Sequence, residues 1–328
     1  MAEHGGNLDE AAKRFGFALS QMCDLSTGIS PKSYDIALKH SAHYQALPLA
    51  RLEQQALKAA RHAYQVPDQA ALTLGAGSQM LLSALPRCMS PTHIWVPVPS
   101  YNEHGYRWEK AGHKVTSEAR CPDAATVMII GQPNNPDGTL YDRDDVKQLL
   151  AQAEASKGLL VIDEAFADAM PEVSHMALAG HPHLMILRSV GKFYGLAGLR
   201  VGFAIGHDEM IAKLADEIGP WPVATPALDV AIAALSDFAW QDAHRQFLSN
   251  HARQLADCLA QAGFEIVAEL PLFVTIRHPA IAQFHHHLAK QGYWTRIFSA
   301  DDQMMRLGLL PETYDLTTFQ QIVTNWQK

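Results

Sequence analysis

One lysine stands among small, apolar and aromatic residues in the stretch RSVGKFYGLAGLRVG, residues 188–202. An amine that is partly removed from water has a lowered pKa and becomes a nucleophile toward carbonyl carbon. Ser189 lies three residues before Lys192, and Arg200 lies eight residues after it. A hydroxyl and a guanidinium can both bind one anion, and the guanidinium suits a phosphate group. The stretch therefore predicts a nucleophilic amine beside an anion site.

Other residues that could bind a ligand or take part in catalysis follow short apolar runs. Gly77 and Ser78, in GAGS, precede a helical pattern, and the bare N–H groups at a helix start favour an anion. The competing interpretation is an ordinary loop and helix cap. Tyr101 follows the run HIWVPVP at 93–99, where its ring could stack on a planar ligand or simply be half-buried.

Two further strand ends carry polar residues. Asn134 and Asn135 lie in QPNNPDG, a proline-bounded turn that either presents donors to a ligand or is only a turn. Asp163 follows LLVI, and a carboxylate at the end of a buried strand needs a partner. That partner could be a protonated ring nitrogen or a magnesium–phosphate complex. The sequence lacks G-x-x-x-x-G-K-[ST], so magnesium is the weaker choice.

The elements that position these groups form an alternating pattern. Apolar runs at 93–99, 125–131, 158–166 and 183–190 are separated by helical patterns such as DRDDVKQLLAQAEAS at 142–156. This alternation predicts an α/β fold with a mostly parallel mixed sheet flanked by helices, in which ligands lie beyond the carboxyl ends of the strands. We expect an N-terminal arm and part of a small domain at 1–45, a large domain at 46–222, and a smaller α+β domain at 223–328.

Composition excludes several classes of protein. The chain has 328 residues, 48% of them hydrophobic, and a net charge of −8, which gives no electrostatic support to binding of nucleic acid or an anionic membrane. The unpaired spacing of four cysteines and the start MAEHGGNLDE predict a cytoplasmic protein without disulfides or a secretory signal. HHH at 285–287 predicts no metal site, because consecutive side chains point in different directions.

The order GAGS, PSY, QPNNPDG, VIDEAF and SVGKFYGLAGLR resembles the fold-type-I pyridoxal 5′-phosphate (PLP) enzymes of the class I/II aminotransferase group. The resemblance covers most of the chain. It implies that Lys192 forms the covalent bond to the aldehyde of PLP. It further implies that Asp163 pairs with the ring nitrogen, Asn135 donates to the phenolic oxygen and Tyr101 stacks on the ring.

The same resemblance implies how the phosphate of PLP is held. Ser189, Arg200 and the backbone around Gly77 and Ser78 would bind it. Tyr44, in HYQALP, matches a tyrosine that reaches the cofactor phosphate of the partner subunit in this group. The resemblance therefore implies a homodimer with shared active sites.

One departure from the group concerns the reaction. DEAF at 163–166 stands where the aminotransferases usually read DEAY, so Phe166 lacks the hydroxyl that would touch the ring oxygen. Together with HGGN, DLSTGISP and GKFYGLAGLRVG, it resembles a decarboxylase branch of the group whose substrate is L-threonine O-3-phosphate. An aminotransferase acting on histidinol phosphate is the alternative, and a non-catalytic protein that kept the fold is a third.

Residues outside the predicted large domain would bind the small phosphorylated substrate. We expect Arg296, in YWTRIF, and Arg306, in MMRLGLLP, to bind its phosphate and carboxylate. His4 of HGGN is a further candidate for the phosphate. The competing interpretation of both arginines is an ordinary surface charge.

Overall fold

The computed structural model of the chain describes residues 5–36, 45–298 and 301–326. The helices are α1 (Leu8–Phe15), α2 (Ala50–Ala63), α3 (Ser78–Ala84), α4 (Asn102–Lys110), α5 (Arg143–Ala155), α6 (Asp208–Ile218), α7 (Thr225–Ser236), α8 (Phe238–Gln261), α9 (Ile281–Ala289) and α10 (Leu316–Asn325). The strands are β1 (Cys23–Asp24), β2 (Ala71–Gly75), β3 (His93–Val96), β4 (Lys114–Ser117), β5 (Val127–Gly131), β6 (Leu159–Asp163), β7 (Leu184–Ser189), β8 (Gly202–Gly206), β9 (Glu265–Leu270), β10 (Phe273–Arg277), β11 (Tyr293–Trp294), β12 (Arg296–Phe298) and β13 (Asp301–Gly308).

The larger of two compact units comprises residues 34–135 and 139–242 and contains a seven-stranded sheet. Its strand order is β2-β8-β7-β6-β5-β3-β4, and β8 runs antiparallel to both of its neighbours while the other pairings are parallel. Helices α2 to α6 pack against this sheet. Every residue of β5 and β7 is buried, as expected for strands covered on both faces. The predicted mostly parallel mixed sheet is confirmed.

The register of the central strands brings their carboxyl ends to one edge of the sheet. Gly131 at the end of β5 lies opposite Asp163 at the end of β6, and Asp163 lies opposite Leu187 of β7. Because parallel strands finish at a common edge, the residues that follow them gather there. The sheet thus brings together the polar residues that follow the apolar runs in the sequence.

The smaller unit comprises residues 1–33, 136–138 and 243–328. It contains an antiparallel sheet of order β12-β13-β10-β9 and a parallel pair formed by β1 and β11, which confirms the predicted smaller α+β unit. The division between units falls within α8, beyond the predicted boundary at 222/223. The reason is that α7 packs on α2 and so belongs to the larger unit.

Candidate active site

A cavity of about 230 Å³ lies at the carboxyl edge of the large sheet. Seven of the predicted cofactor residues line it, namely Ser78, Tyr101, Asn135, Asp163, Ser189, Lys192 and Arg200. They come from five separate stretches of the chain. The predicted cofactor residues of the larger unit therefore lie around one space, as the order of the sequence motifs requires.

Ser78, Ser189 and Arg200 offer hydroxyl and guanidinium groups to the cavity. Two glycines make this arrangement sterically possible. A Cβ at Gly77, whose φ is +79°, would lie 2.5 Å from the Arg200 guanidinium, and a Cβ at Gly202 would lie 2.3 Å from the backbone nitrogen of Ser78. The glycines thus let the arginine lie directly against the loop that precedes α3. This set of groups suits a phosphate.

The carboxylate of Asp163 is held by two protein donors. His104 Nε2 lies 2.9 Å from Asp163 Oδ2, and the backbone N–H of Ala165 donates to Oδ1 at 3.1 Å. His104 is buried, and its Nδ1 lies 3.0 Å from Ser100 Oγ. These contacts fix the direction of the carboxylate, which still lines the cavity and is 13% exposed. Asp163 can therefore accept a further proton donor such as a pyridinium N–H.

Lys192 lies in the turn that follows β7, beside the aromatic ring of Phe166. Its Nζ is 5.5 Å from the centre of that ring, and both residues line the cavity. The ring presents an apolar face to the amine and offers no hydroxyl to a ligand. Gly191 allows the turn to be tight, because a Cβ there would lie 3.3 Å from the backbone of Ala197.

The two neighbouring asparagines of QPNNPDG have different positions. Asn135 lines the cavity, whereas Asn134 is buried, donates from Nδ2 to the carbonyl of Pro99 at 2.9 Å, and pairs through its backbone with Thr139. Asn134 therefore holds the turn against the segment before Tyr101. Asn135 is the member of the pair that can contact a ligand.

The ring of Tyr101 closes another side of the cavity. Its hydroxyl donates to Gln79 Oε1 at 3.0 Å. Burial, followed by the nearby carboxylates of Glu103 and Asp163, raises the pKa of Tyr101 to about 12. The phenol therefore keeps its proton at neutral pH.

Charged residues also lie behind the site, immediately next to the predicted ones. Glu164 is fully buried, and its carboxylate accepts hydrogen bonds from Ser174 Oγ and from the backbone N–H of His175, both at 2.7 Å. Arg188 Nε lies 3.3 Å from Glu164 Oε2, and its NH1 lies 3.9 Å from Asp168 Oδ1. Burial opposes the charge of Arg188, but the two carboxylates raise its pKa above the ordinary value. These three residues do not line the cavity.

The predicted substrate arginines lie in the smaller unit, on neighbouring antiparallel strands. Arg296 is directly opposite Arg306 in the register of β12 and β13, so the two side chains share one face of that sheet. Arg306 is buried and donates to the carbonyl of Ser26 at 2.7 Å. Ser26 Oγ in turn accepts from the backbone N–H of Gly6 at 2.7 Å. Gly6 of HGGN, Ser26 of DLSTGISP and Arg306 are therefore linked by hydrogen bonds through Ser26.

Two predicted residues, His4 and Tyr44, lie outside the described residues. Among the residues that are described, no cluster of His, Cys, Asp or Glu could hold a metal ion. His285 and His287 bond to Thr295 Oγ1 and to the carbonyl of Ile322, and His286 packs on Phe15. None of the helices in the described part of the chain has the length and apolar character to cross a membrane.

The sequence did not single out Gln79, His104, Glu164 or Arg188. Each lies within two or three residues of a predicted site residue, but its partner is distant along the chain. His104, for example, is 59 positions from Asp163. Only the buried position of Glu164 directly after Asp163 carried a signal, since an adjacent pair of acids at a strand end requires two separate partners.

The chain belongs to the class I and II aminotransferase family, whose sequence profile matches residues 37–306. A threonine-phosphate decarboxylase of Pseudomonas aeruginosa is 36% identical over 314 residues, which are 94% of this chain and 93% of that enzyme. A histidinol-phosphate aminotransferase of Pectobacterium atrosepticum is 42% identical over 140 residues, 42% of this chain and 39% of that enzyme. The crystal structure of histidinol-phosphate aminotransferase from Sinorhizobium meliloti with PLP has a TM-score of 0.84 at 16% identity, covering 99% of this chain and 95% of that one.

PLP is the cofactor of this family, and the residues of the cavity fit it. An amine, a carboxylate, an amide, an aromatic face and a set of hydroxyl and guanidinium groups surround one space. A Cβ at residue 77 would prevent the close approach of Arg200 to Gly77, so this loop determines where the guanidinium lies. The cofactor predicted from the sequence is confirmed.

Proposed function

We propose that the protein is a PLP-dependent decarboxylase that converts L-threonine O-3-phosphate to (R)-1-amino-2-propanol O-2-phosphate and CO₂, a reaction that supplies the aminopropanol linker of cobalamin. The observation that carries this proposal is the extent of the match. A decarboxylase relative aligns over 94% of the chain, whereas two histidinol-phosphate aminotransferases align over 42% and 63%. The whole-chain match includes the smaller unit, which holds the candidate substrate residues.

The residues of the cavity would act as follows. Lys192 would bind PLP covalently, while Asp163, Asn135 and Tyr101 would hold the ring through its nitrogen, its oxygen and its face. Gly77, Ser78, Ser189 and Arg200 would hold the phosphate. When bound, PLP accepts the electron pair of the bond that breaks at the substrate Cα. Asp163 supports this by keeping a proton on the ring nitrogen, through a charge-assisted contact of about 1.5–3 kcal/mol.

The side chain of Lys192 would also move the proton that completes the reaction. After CO₂ leaves, its Nζ would deliver a proton to the substrate Cα. The apolar ring of Phe166, 5.5 Å away, limits water around this amine. Delivery to Cα gives the amine product, whereas delivery to the exocyclic carbon of the cofactor would give transamination.

Arg296 and Arg306 would bind the substrate's carboxylate and phosphate. Like charges directly opposite each other in a sheet are destabilising, and a bound dianion would offset that cost. Which group leaves from Cα depends on which bond stands perpendicular to the ring. The arginines would hold the carboxylate in that orientation. His4, which precedes the docked Gly5 and Gly6, would contact the substrate phosphate.

The decisive assay is incubation of the purified holoenzyme with L-threonine O-3-phosphate in the absence of any 2-oxo acid. We expect CO₂ and a phosphorylated amino alcohol, with the cofactor unchanged after each turnover. Accumulation of pyridoxamine phosphate, or activity that requires a 2-oxo acid and histidinol phosphate, would establish the alternative aminotransferase. That alternative is supported by the matches to histidinol-phosphate aminotransferases over 42% and 63% of the chain. A colourless protein unable to bind PLP would leave only a non-catalytic role.

The assignment of Lys192 can be tested without substrate. Borohydride reduction of the holoenzyme followed by peptide mapping should label Lys192 and no other lysine. Arg306→Ala should raise KM strongly while the visible band of bound PLP stays intact. Arg277→Ala, which removes a guanidinium bound to Asp301 in the same sheet, is the matched control and should leave KM unchanged.

We further propose a cytoplasmic homodimer in which Tyr44 of one subunit reaches the phosphate of the other subunit's cofactor. Mixing Lys192→Ala protein with Tyr44→Phe protein tests this arrangement. Mixed dimers contain one site with both native residues and should recover activity that neither parent shows. Lack of recovery in a mixture proven to exchange subunits would place Tyr44 in its own subunit's site.

A further inference from the structure

A single amide side chain connects the two loops that bring the ring and phosphate ligands to the cavity. Gln79 directly follows Ser78 at the start of α3, and Tyr101 directly precedes α4. The hydroxyl of Tyr101 donates to Gln79 Oε1 at 3.0 Å, and Gln79 Nε2 donates to Glu103 Oε2 at 2.8 Å. Both Gln79 and Tyr101 line the cavity.

The chemistry of the partners fixes the direction of these bonds. Glu103 is buried and forms an ion pair with Arg107 one helical turn later, so its oxygen accepts and the NH₂ of Gln79 must face it. The amide oxygen then faces Tyr101, whose hydroxyl must donate to it. Because burial raises the pKa of Tyr101, the phenol retains the proton that it donates. The amide therefore has one orientation that satisfies both neighbours.

A phenol held at its oxygen cannot change the tilt of its ring freely. The hydroxyl lies at the far end of the ring from Cβ, so this bond and the backbone before α4 restrain Tyr101 at both ends. Gln79 in turn is fixed by α3, whose first residue Ser78 belongs to the phosphate end. A change at either end of the cofactor site would be transmitted to the other through this amide.

We propose that Gln79 is a positioning residue that sets the angle of the Tyr101 ring against PLP and couples ring stacking to the phosphate end of the site. The inference depends on the stacking role of Tyr101 in the proposed function, but not on the reaction that the enzyme catalyses. Gln79 acts through Tyr101 and does not itself need to touch the cofactor.

The test is a double-mutant cycle of Gln79→Met and Tyr101→Phe, measured without substrate. Methionine keeps the length and apolar volume of glutamine, and phenylalanine keeps the stacking face. The readouts are the dissociation constant for PLP added to apoenzyme and the induced circular dichroism of bound PLP, which reports the asymmetry of its surroundings. Ser83→Ala is the matched control. Ser83 Oγ lies 3.4 Å from Gln79 Nε2, but its loss leaves the bond to Tyr101 intact.

Each single variant should weaken PLP binding about threefold to tenfold, the effect of one hydrogen bond, and reduce the induced dichroism. The double variant should match Tyr101→Phe alone, because Gln79 has no hydroxyl to hold in that background. Ser83→Ala should bind PLP as the wild type does. Multiplied effects in the double variant, or weakened binding with unchanged dichroism, would overturn the proposal. A wild-type chain that binds PLP but releases no CO₂ would contradict the proposed reaction and leave this inference standing.

Discussion

Charged or hydroxyl residues lie on two opposite sides of the ends of strands β6 and β7. The residues on the two sides differ in the partners of their polar groups. On the cavity side, Asp163 and Ser189 line a space large enough for a ligand. On the other side, Glu164 and Arg188 are buried against each other and against Asp168 and Ser174. Successive residues of a strand alternate between faces, so neighbouring charges in the sequence belong to different environments.

The difference separates a binding surface from a structural ion cluster. The carboxylate of Glu164 has its two oxygens bonded to protein donors and no exposure, so a ligand cannot reach it. The carboxylate of Asp163 is also held by protein donors, but it borders the cavity. We therefore expect changes behind the strands to lower stability and changes in front of them to lower cofactor affinity.

The largest effect is expected for Arg188→Met. The substitution leaves Glu164 and Asp168 as buried carboxylates without their cation, which should lower the free energy of unfolding by about 3–5 kcal/mol. Urea titration of the apoenzyme measures this loss. Adding Glu164→Gln to the variant should recover part of it, because one uncompensated charge disappears. A free energy of unfolding within 1 kcal/mol of the wild-type value would show that this ion cluster does not stabilise the fold.

Asp163→Asn tests the other side of the strands. The proposed charge-assisted contact to the ring nitrogen would contribute about 1.5–3 kcal/mol, so PLP affinity should fall by roughly 10- to 150-fold. The unfolding free energy of the apoenzyme should change by less than about 1 kcal/mol, since asparagine retains an oxygen for the Ala165 N–H. Fluorescence titration with PLP and urea titration of the same preparation separate the two quantities. If the free energy of unfolding falls by more than the free energy of PLP binding, the two sides of the strands do not differ in the way that we expect.

The pH at which stabilities are compared also matters, because of His285 in the smaller unit. Burial, followed by the charges of Arg14 and His286, lowers the pKa of His285 to about 4. The unfolded chain takes up this proton near pH 6.5, so between these values it binds more protons and stability falls as the pH falls. From pH 7 to pH 5 the loss should be about 2 kcal/mol.

Urea titrations of wild type and His285→Gln at several pH values measure this contribution. The variant should lose less stability on acidification than the wild type does. Equal pH dependence in the two proteins would contradict a His285 that is neutral in the folded protein at pH 5.

The smallest effect is expected for His104→Phe. It removes one hydrogen bond from the Asp163 carboxylate, and PLP affinity should fall about threefold to tenfold with little change in stability. Ser100→Ala, which removes only the group bonded to the other ring nitrogen, should have a weaker effect. A titration with PLP distinguishes them. If Ser100→Ala were as damaging as His104→Phe, the orientation of the imidazole would matter more than its bond to Asp163.

The sequence predicted the cavity side of the site because its residues follow apolar runs. Parallel strands bring such positions together whatever the rest of the structure does, which is why Asp163, Asn135 and Lys192 could be placed around one ligand. The N–H donors and ion partners that hold them could not be placed in this way. The pairing of His104 with Asp163, or of Gln79 with Tyr101, depends on how helices pack beside the strands.

The pairing of residues in the smaller unit could not be predicted from the sequence either. Arg296 and Arg306 were predicted as substrate ligands in the small domain, but their opposition across β12 and β13 depends on strand register. A shift of one residue would have sent the two side chains to opposite faces. The boundary between units, which falls within α8, is equally invisible in a helical pattern that continues across it.

The reversed direction of β8 has a consequence for the spacing of the motif that contains Lys192. Ser189 and Gly202 are cross-strand partners, so the chain leaves the sheet after β7 and re-enters it at the same edge. Residues 190–201 thus form a loop whose two ends are held next to each other by the pairing of β7 with β8. Adding or deleting a residue there would displace the amine and the guanidinium relative to Ser189, so this segment should tolerate changes of side chain far better than changes of length.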